Sequence, residues 1–214
     1  MPRLFAPAIA AATLTLLAAP AWAQCKPTPP QVIVTAPPFE TSIEEVRDVA
    51  AYTPFPFLTE QSVAPGWKLN GVALVRPQVR MNIAGMKYPS CYEAKRIEIV
   101  LTLGDPVRIY IDSRFDRNSC NYAVVKAHEL QHVEVYQRAR TAYVPYFKAV
   151  IQNAVNAVLA QSSQSSSGEE IVKAAASEAS DVAFSHMTTE AARVNAAIDS
   201  KENYLRTQAL CPNW

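Results

Sequence analysis

The chain has 214 residues and is almost neutral, with 20 basic residues against 19 acidic ones. It has no basic block, so there is no electrostatic basis for binding nucleic acid or an anionic membrane surface. The length suits one domain with a real core. Its four cysteines include no Cys-x-x-Cys pair, which argues against a cysteine zinc knuckle or a thioredoxin-type redox site.

Read from the start, Arg3 precedes an apolar run from Ala6 to Ala19, then Ala21 and Ala23 in Ala-x-Ala spacing. A basic start, a short apolar stretch and small residues before a cleavage point predict a secretory signal peptide over 1–23, cut after Ala23. Gln24 is too large for the lipobox that would make Cys25 a lipid anchor. The run is too short to span a bilayer, and no later segment reaches ~18 uninterrupted apolar residues. The expected location is therefore the periplasm or the medium. Without Arg3 the mature chain carries 19 charges of each sign. In an oxidising compartment, an even count of Cys25, Cys91, Cys120 and Cys211 predicts two disulfides. The favoured pairs are Cys91–Cys120, closing around one hairpin, and Cys25–Cys211, joining the termini.

Residues 24–66 form a proline-rich arm, since eight of the sixteen prolines fall between 26 and 65. Fixed φ and missing donors predict extended or loop-like chain there, with one short helical turn in TSIEEVRDVAAY. The domain proper is expected over 67–214. Alternating and β-branched runs predict strands near 69–76, 78–88, 94–103 and 106–112, in a small antiparallel sheet. Gly104-Asp105 between the last two is a hairpin signal. After Cys120 the sequence turns helical for some forty residues, with Pro145 expected to kink the helix. SSQSSSG at 162–168 predicts a turn, and Ser167 with Glu170 a capping box. A second helix is expected from about 169 to 206. The fold class is α+β: a sheet followed by a two-helix hairpin.

The chemistry lies in AHELQH, 127–132. On a helix, residues four apart share a face, so His128 and His132 can hold one metal ion, and Glu129 beside them can reach water at that ion. Zinc acidifies such water towards pKa ~7 and polarises a carbonyl, leaving Glu129 as the general base of a peptidase. The motif has only three fixed positions and recurs by chance. Here two of the chain's three histidines fall in it, directly after predicted strands. Zincin peptidases share that order of strands and then metal helix.

The longer motif HExxHxxGxxH is absent, since Val135 and Arg138 stand where Gly and His would be needed. The third ligand must come from the second helix, where Glu178, His186, Asp199 and Glu202 are candidates. Glu178 lies in SEASD, similar to the Glu-bearing second helix of thermolysin-like and membrane-linked zinc peptidases, and His186 offers nitrogen. If the helices turn near residue 165, facing residues have numbers summing to about 330, given equal rise on both sides. That register puts Asp199 and Glu202 beside the motif, and leaves Glu178 and His186 more than ~15 Å away along the axis. Tyr136, one turn after His132, and Tyr204 are candidate oxyanion stabilisers. The strand VRIYID is a candidate for the substrate-binding edge.

The order of a Cys-bearing strand, an HExxH helix and a long second helix ending in an Asp motif resembles a family of predicted secreted bacterial zinc-dependent proteases. That family closes its second helix with Tyr-Asp-x-x-Thr-x-His. The stretch here is IDSKENY, 198–204: Asp199 matches, while Ile198, Glu202 and Tyr204 replace the Tyr, Thr and His. The resemblance covers roughly 67–205. It implies a zincin-like exported zinc metallopeptidase acting on a peptide or protein substrate, with Asp199 as first choice for the third ligand and Glu202 as second. Two other readings accompany it: a non-catalytic zinc-binding envelope protein, and a disulfide-stapled interaction domain in which HELQH is incidental.

Overall fold

The computed structural model describes residues 25–52, 69–104 and 106–214. The expected signal peptide, its cleavage point and Asp105 lie outside the described residues. The chain folds as α+β, with two small mixed sheets beside a long helical hairpin.

The strands in chain order are β1 (Gln31–Thr35), β2 (Thr41–Val46), β3 (Gly71–Leu74), β4 (Gln78–Tyr88), β5 (Cys91–Thr102) and β6 (Val107–Asp112). One sheet runs β1-β5-β4 and the other β2-β6-β3. Each has one parallel pair, β1 with β5 and β2 with β6, and one antiparallel pair. The antiparallel expectation is thus corrected to mixed. The parallel strands come from the proline-rich stretch, whose prolines at 29, 30, 37 and 38 flank β1 rather than interrupt it. TSIEEV is likewise a strand, with the helical turn confined to a 3-10 segment at Val49–Tyr52. The expected hairpin at Gly104 is also corrected, because β5 and β6 pair in different sheets. Gly104, at φ +100°, turns the chain from one sheet to the other.

The first helix, α1 (Cys120–Ser162), runs unbroken through Pro145. Burial of Phe147, Ile151 and Val155 just beyond the proline holds that segment against the core. The second, α2 (Gly168–Ile198), starts at Ser167, but the capping box does not form, because the Ser167 hydroxyl bonds to that of Ser165. Early α1 (Val125, Val133) packs on β6, while its later part shares a core with β5 and α2. The buried row of α2, Val172, Ala176, Ser180, Ala183, Met187 and Ala191, recurs every three or four residues and consists mostly of small side chains. Small residues in that row let α2 lie close against α1 along its length.

The second helix stops earlier than expected. Asp199 caps α2, and Ser200 caps a separate helix, α3 (Lys201–Gln208), by accepting a hydrogen bond from the Asn203 N–H. Asn203 Nδ2 also bonds the Ile198 carbonyl at 2.8 Å, so the break is held from both sides.

Two disulfides form as the cysteine count predicts, but with different partners: Cys25–Cys91 and Cys120–Cys211. The parallel register Gln31↔Arg96, carried back along both strands, brings Cys25 beside Cys91. The antiparallel return of α2 and α3 brings Cys211 to the start of α1. The expected Cys91–Cys120 pair depends on a hairpin that the fold does not contain. Among the described residues no helix is long and apolar enough to cross a membrane.

Candidate metal centre

Two helical turns and one helix end converge at the centre. His128 and Glu129 are buried on α1, and His132 follows one turn later. The packing row of α2 continues past Met187 and Ala191, at the same spacing of four, through Asn195 to Asp199. There it meets the histidines and becomes polar.

His128 Nε2 lies 3.3 Å from Asp199 Oδ1, His132 Nε2 lies 3.1 Å from the same oxygen, and the two Nε2 atoms are 3.3 Å apart. Three electron-pair donors thus surround one point. A tetrahedral metal centre with bonds of ~2.0–2.1 Å sets neighbouring ligand atoms about 3.3 Å apart. The donor set therefore fits a small divalent cation. It is the group of candidate metal ligands found among the described residues. A single shared proton cannot satisfy all three donors, whereas one cation can.

His132 Nδ1 is 2.9 Å from Asn195 Oδ1. An amide oxygen only accepts, so Nδ1 carries a proton, and Nε2 is the nitrogen whose lone pair a metal would take once its own proton is displaced. Asn195 is absent from the sequence-based candidates. Its signal is the spacing of four before Asp199, which places both on one helix face. Asn195→Ala is expected to weaken metal binding by about 10–100-fold while leaving the metal-free fold intact. Competition against a fluorescent chelator, beside circular dichroism, checks both halves. Unchanged affinity would remove Asn195 as the residue that orients His132.

Glu129 is held differently. Its side chain lies against β3, where a Cβ on Gly71 would fall 2.8 Å from Glu129 Oε1 and 2.7 Å from Val125 Cγ1. The Ala73 N–H donates to the carboxylate. Burial raises the Glu129 pKa to about 7, against the lowering influence of His132 and His128. Burial disfavours charge on His132 too, but the hydrogen bond and charge of Asp199 outweigh it and lift that pKa to about 9. Burial likewise acts to raise Asp199, yet its hydrogen bonds to both histidines hold it well below the usual carboxylate range. These directions belong to the metal-free site. A bound dication adds the largest local charge and displaces the histidine proton.

Gly71→Ala tests the close approach of β3. The added methyl must displace Glu129 or Val125, and overpacking of this kind typically destabilises by ~1–3 kcal/mol. Urea unfolding measures it, and a change within ~0.5 kcal/mol would show that the strand yields freely.

The other candidates separate cleanly. Tyr204 on α3 donates its hydroxyl to Asp199 Oδ1 at 3.2 Å, and its ring centroid lies 5.0 Å from that of His128. Burial, then the charges of Asp199 and Glu129, push its pKa well above the ordinary phenol value. Tyr136 packs against the core beside β6 and shares a hydrogen bond with Asn195, so it supports the site from behind. Glu178, Glu202 and His186 are exposed and belong to no ligand group. The break at Asp199–Ser200 turns Glu202 out of line with Asp199. His186 instead sits by Tyr146, with ring centroids 6.0 Å apart, where the helical register puts it. The edge-strand expectation is corrected: among the described residues β6 is the central strand, and β3 is the edge that borders Glu129.

Comparisons with protein-family models, with curated proteins and with solved structures found no match to this chain.

Proposed function

We propose that the chain is an exported zinc metallopeptidase, of the secreted zinc-dependent protease family that it resembles in HELQH and Asp199. The observation that carries this reading is the triangle of His128, His132 and Asp199 with buried Glu129 at its side. Nitrogen, nitrogen and carboxylate oxygen at tetrahedral spacing suit zinc, and three protein ligands leave a fourth position for chemistry. Bound there, zinc supplies the Lewis acidity that polarises a carbonyl and acidifies water.

The chain's own residues do the rest. Glu129 takes a proton from the attacking water as the new C–O bond forms at the carbonyl carbon. It delivers that proton to the amide nitrogen as the C–N bond breaks. A pKa near 7 suits both transfers at neutral pH. Tyr204, kept protonated, is the candidate donor to the oxygen that gains charge, its hydroxyl turning to that oxygen from Asp199.

Among the described residues no strand pairs with the outer edge of β3, which supports a peptide substrate. Asp112 N–H bonds to the Asn70 carbonyl at 2.9 Å. In an antiparallel pair, that register turns the peptide groups of Gly71 and Ala73 away from β6. The Ala73 N–H on that side is taken by Glu129, so an extended substrate would pair with the Gly71 groups and the Ala73 carbonyl.

Digestion of a mixed peptide library by the zinc-loaded protein is the test. Cleavage abolished by chelator and by Glu129→Gln supports the proposal. Stoichiometric zinc without any cleavage would overturn the peptidase and leave a zinc-binding protein.

A further inference from the structure

A cavity of about 780 Å³ opens where the two sheets meet. It is separate from the metal centre: Arg140, which lines it, lies eleven residues beyond Glu129 on α1, about 16 Å along the axis. The volume falls in the range of small-molecule sites.

Among the described residues its lining is strongly cationic. Arg76, Arg80, Arg108 and Arg140 all contribute, and no described lining residue is Asp or Glu. None of the four arginines makes an ion pair with a carboxylate among the described residues, where the arginines in ion pairs are others. Arg108 does bond to Tyr110 and senses Glu44 from the neighbouring strand.

Arg140 is the unusual member. It is only 3 % exposed. Its Nη1 donates to the Leu101 carbonyl at 3.2 Å, its guanidinium lies 5.2 Å from the centre of the Phe39 ring, and its Nε has no partner. Thr102 Oγ1, also in the lining, is a second buried polar atom without one. A buried cation that lacks a counter-charge is costly, and so is each unmade hydrogen bond. Both deficits are met if an anion occupies the cavity. Guanidinium groups match the oxygens of phosphate and carboxylate.

The cavity is too large for one oxyanion, and three further arginines reach it from exposed positions, Arg76 on the loop between β3 and β4, Arg80 on β4 and Arg108 on β6. We propose that it is a binding site for a small organic ligand bearing two or more oxyanionic groups, phosphate or carboxylate, seated between Arg140 and Arg76, Arg80 and Arg108. The stacked Tyr52 and Tyr110 rings, centroids 4.3 Å apart, give the ligand's carbon frame an apolar wall. The proposal does not depend on peptidase activity.

Titration calorimetry on the mature protein tests it with two weakly chelating probes, fructose 1,6-bisphosphate and glutarate, at matched ionic strength. One-to-one saturable binding of either is expected. Binding of the bisphosphate alone identifies phosphate esters as the source, and binding of glutarate alone identifies polycarboxylates. The double variant Arg76→Gln/Arg108→Gln changes exposed side chains and should weaken binding by about tenfold or more. Arg140→Met should abolish it; if that variant does not fold, the double variant carries the test. His132→Ala should bind the probe as the wild type does. No saturable binding of either probe, or binding untouched by the double variant, overturns the proposal. So does binding lost in His132→Ala, which would assign the anion to the metal centre.

Discussion

If the proposed zinc site is right, His132→Ala and Asp199→Ala should each lose stoichiometric metal, while Glu178→Ala, His186→Ala and Glu202→Ala should keep the wild-type content. The first pair removes a corner of the triangle whose sides are 3.1–3.3 Å. The other three change exposed side chains outside it. Removing one of three protein ligands leaves two, and structural or catalytic zinc sites are built on at least three. Elemental analysis after dialysis against a weak chelator separates the two groups. Wild-type occupancy in Asp199→Ala would eliminate the aspartate as a ligand, and loss in Glu202→Ala would reinstate the glutamate.

The same site fixes the sign of a pH effect. In the metal-free protein the His132 pKa is raised to about 9, chiefly by Asp199 acting against burial. A metal must displace that proton, so affinity should rise with pH up to about 9, by about tenfold per unit for one proton. The metal-free protein should show the opposite trend in stability. The contribution of the His132–Asp199 pair is complete below the unfolded histidine value near 6.5 and is lost as pH rises through 9. Calorimetry in two buffers of different ionisation enthalpy counts the released proton. A pH-independent affinity between 6.5 and 9 would mean that His132 is already neutral.

Much of this centre is legible without the fold, because it rests on two periodicities. The spacing of four in HELQH is local, and the facing of 132 by residues near 198 needs only equal rise along two antiparallel helices. The break after Ile198 is less visible. A run such as IDSKENY reads as helix by propensity, yet Ser200 with Asn203 competes for the backbone as a cap. That competition decides between Asp199 and Glu202. The sheets are the harder part. Strand positions from 71 onward follow from alternation, but alternation does not say which strands pair. Parallel pairing of β1 and β2 joins residues more than sixty positions apart, and no local signal records it. The disulfide pairing escapes the sequence for the same reason, since it follows strand register. Gly71 cannot be read as a contact of Glu129 until β3 is known to be the edge strand.

Glu129→Gln should keep zinc and lose cleavage, by about 10²–10⁴-fold, the usual contribution of a positioned general base. The amide is nearly isosteric with the carboxylate but cannot accept the water's proton. In the wild type the carboxylate must be ionised to act, and burial raises its pKa to about 7. Wild-type kcat/KM should therefore climb with pH through that region, with the bound metal moving the midpoint down. The variant's residual rate should lack this limb. Stability of the chelator-treated proteins gives a reading that activity does not enter. A carboxyl group whose folded pKa is raised from 4.5 to about 7 binds more protons folded than unfolded between those values. Its contribution is whole below 4.5 and declines as pH rises through 7, by roughly 3 kcal/mol in all for so deeply buried a group. The substituted amide does not titrate, so the variant's melting temperature should stay flatter across that window. It should exceed that of the metal-free wild type at pH 8. Parallel pH trends in the two proteins would show that Glu129 ionises freely in the fold, and with that the case for it as a buried, pKa-tuned base would fail.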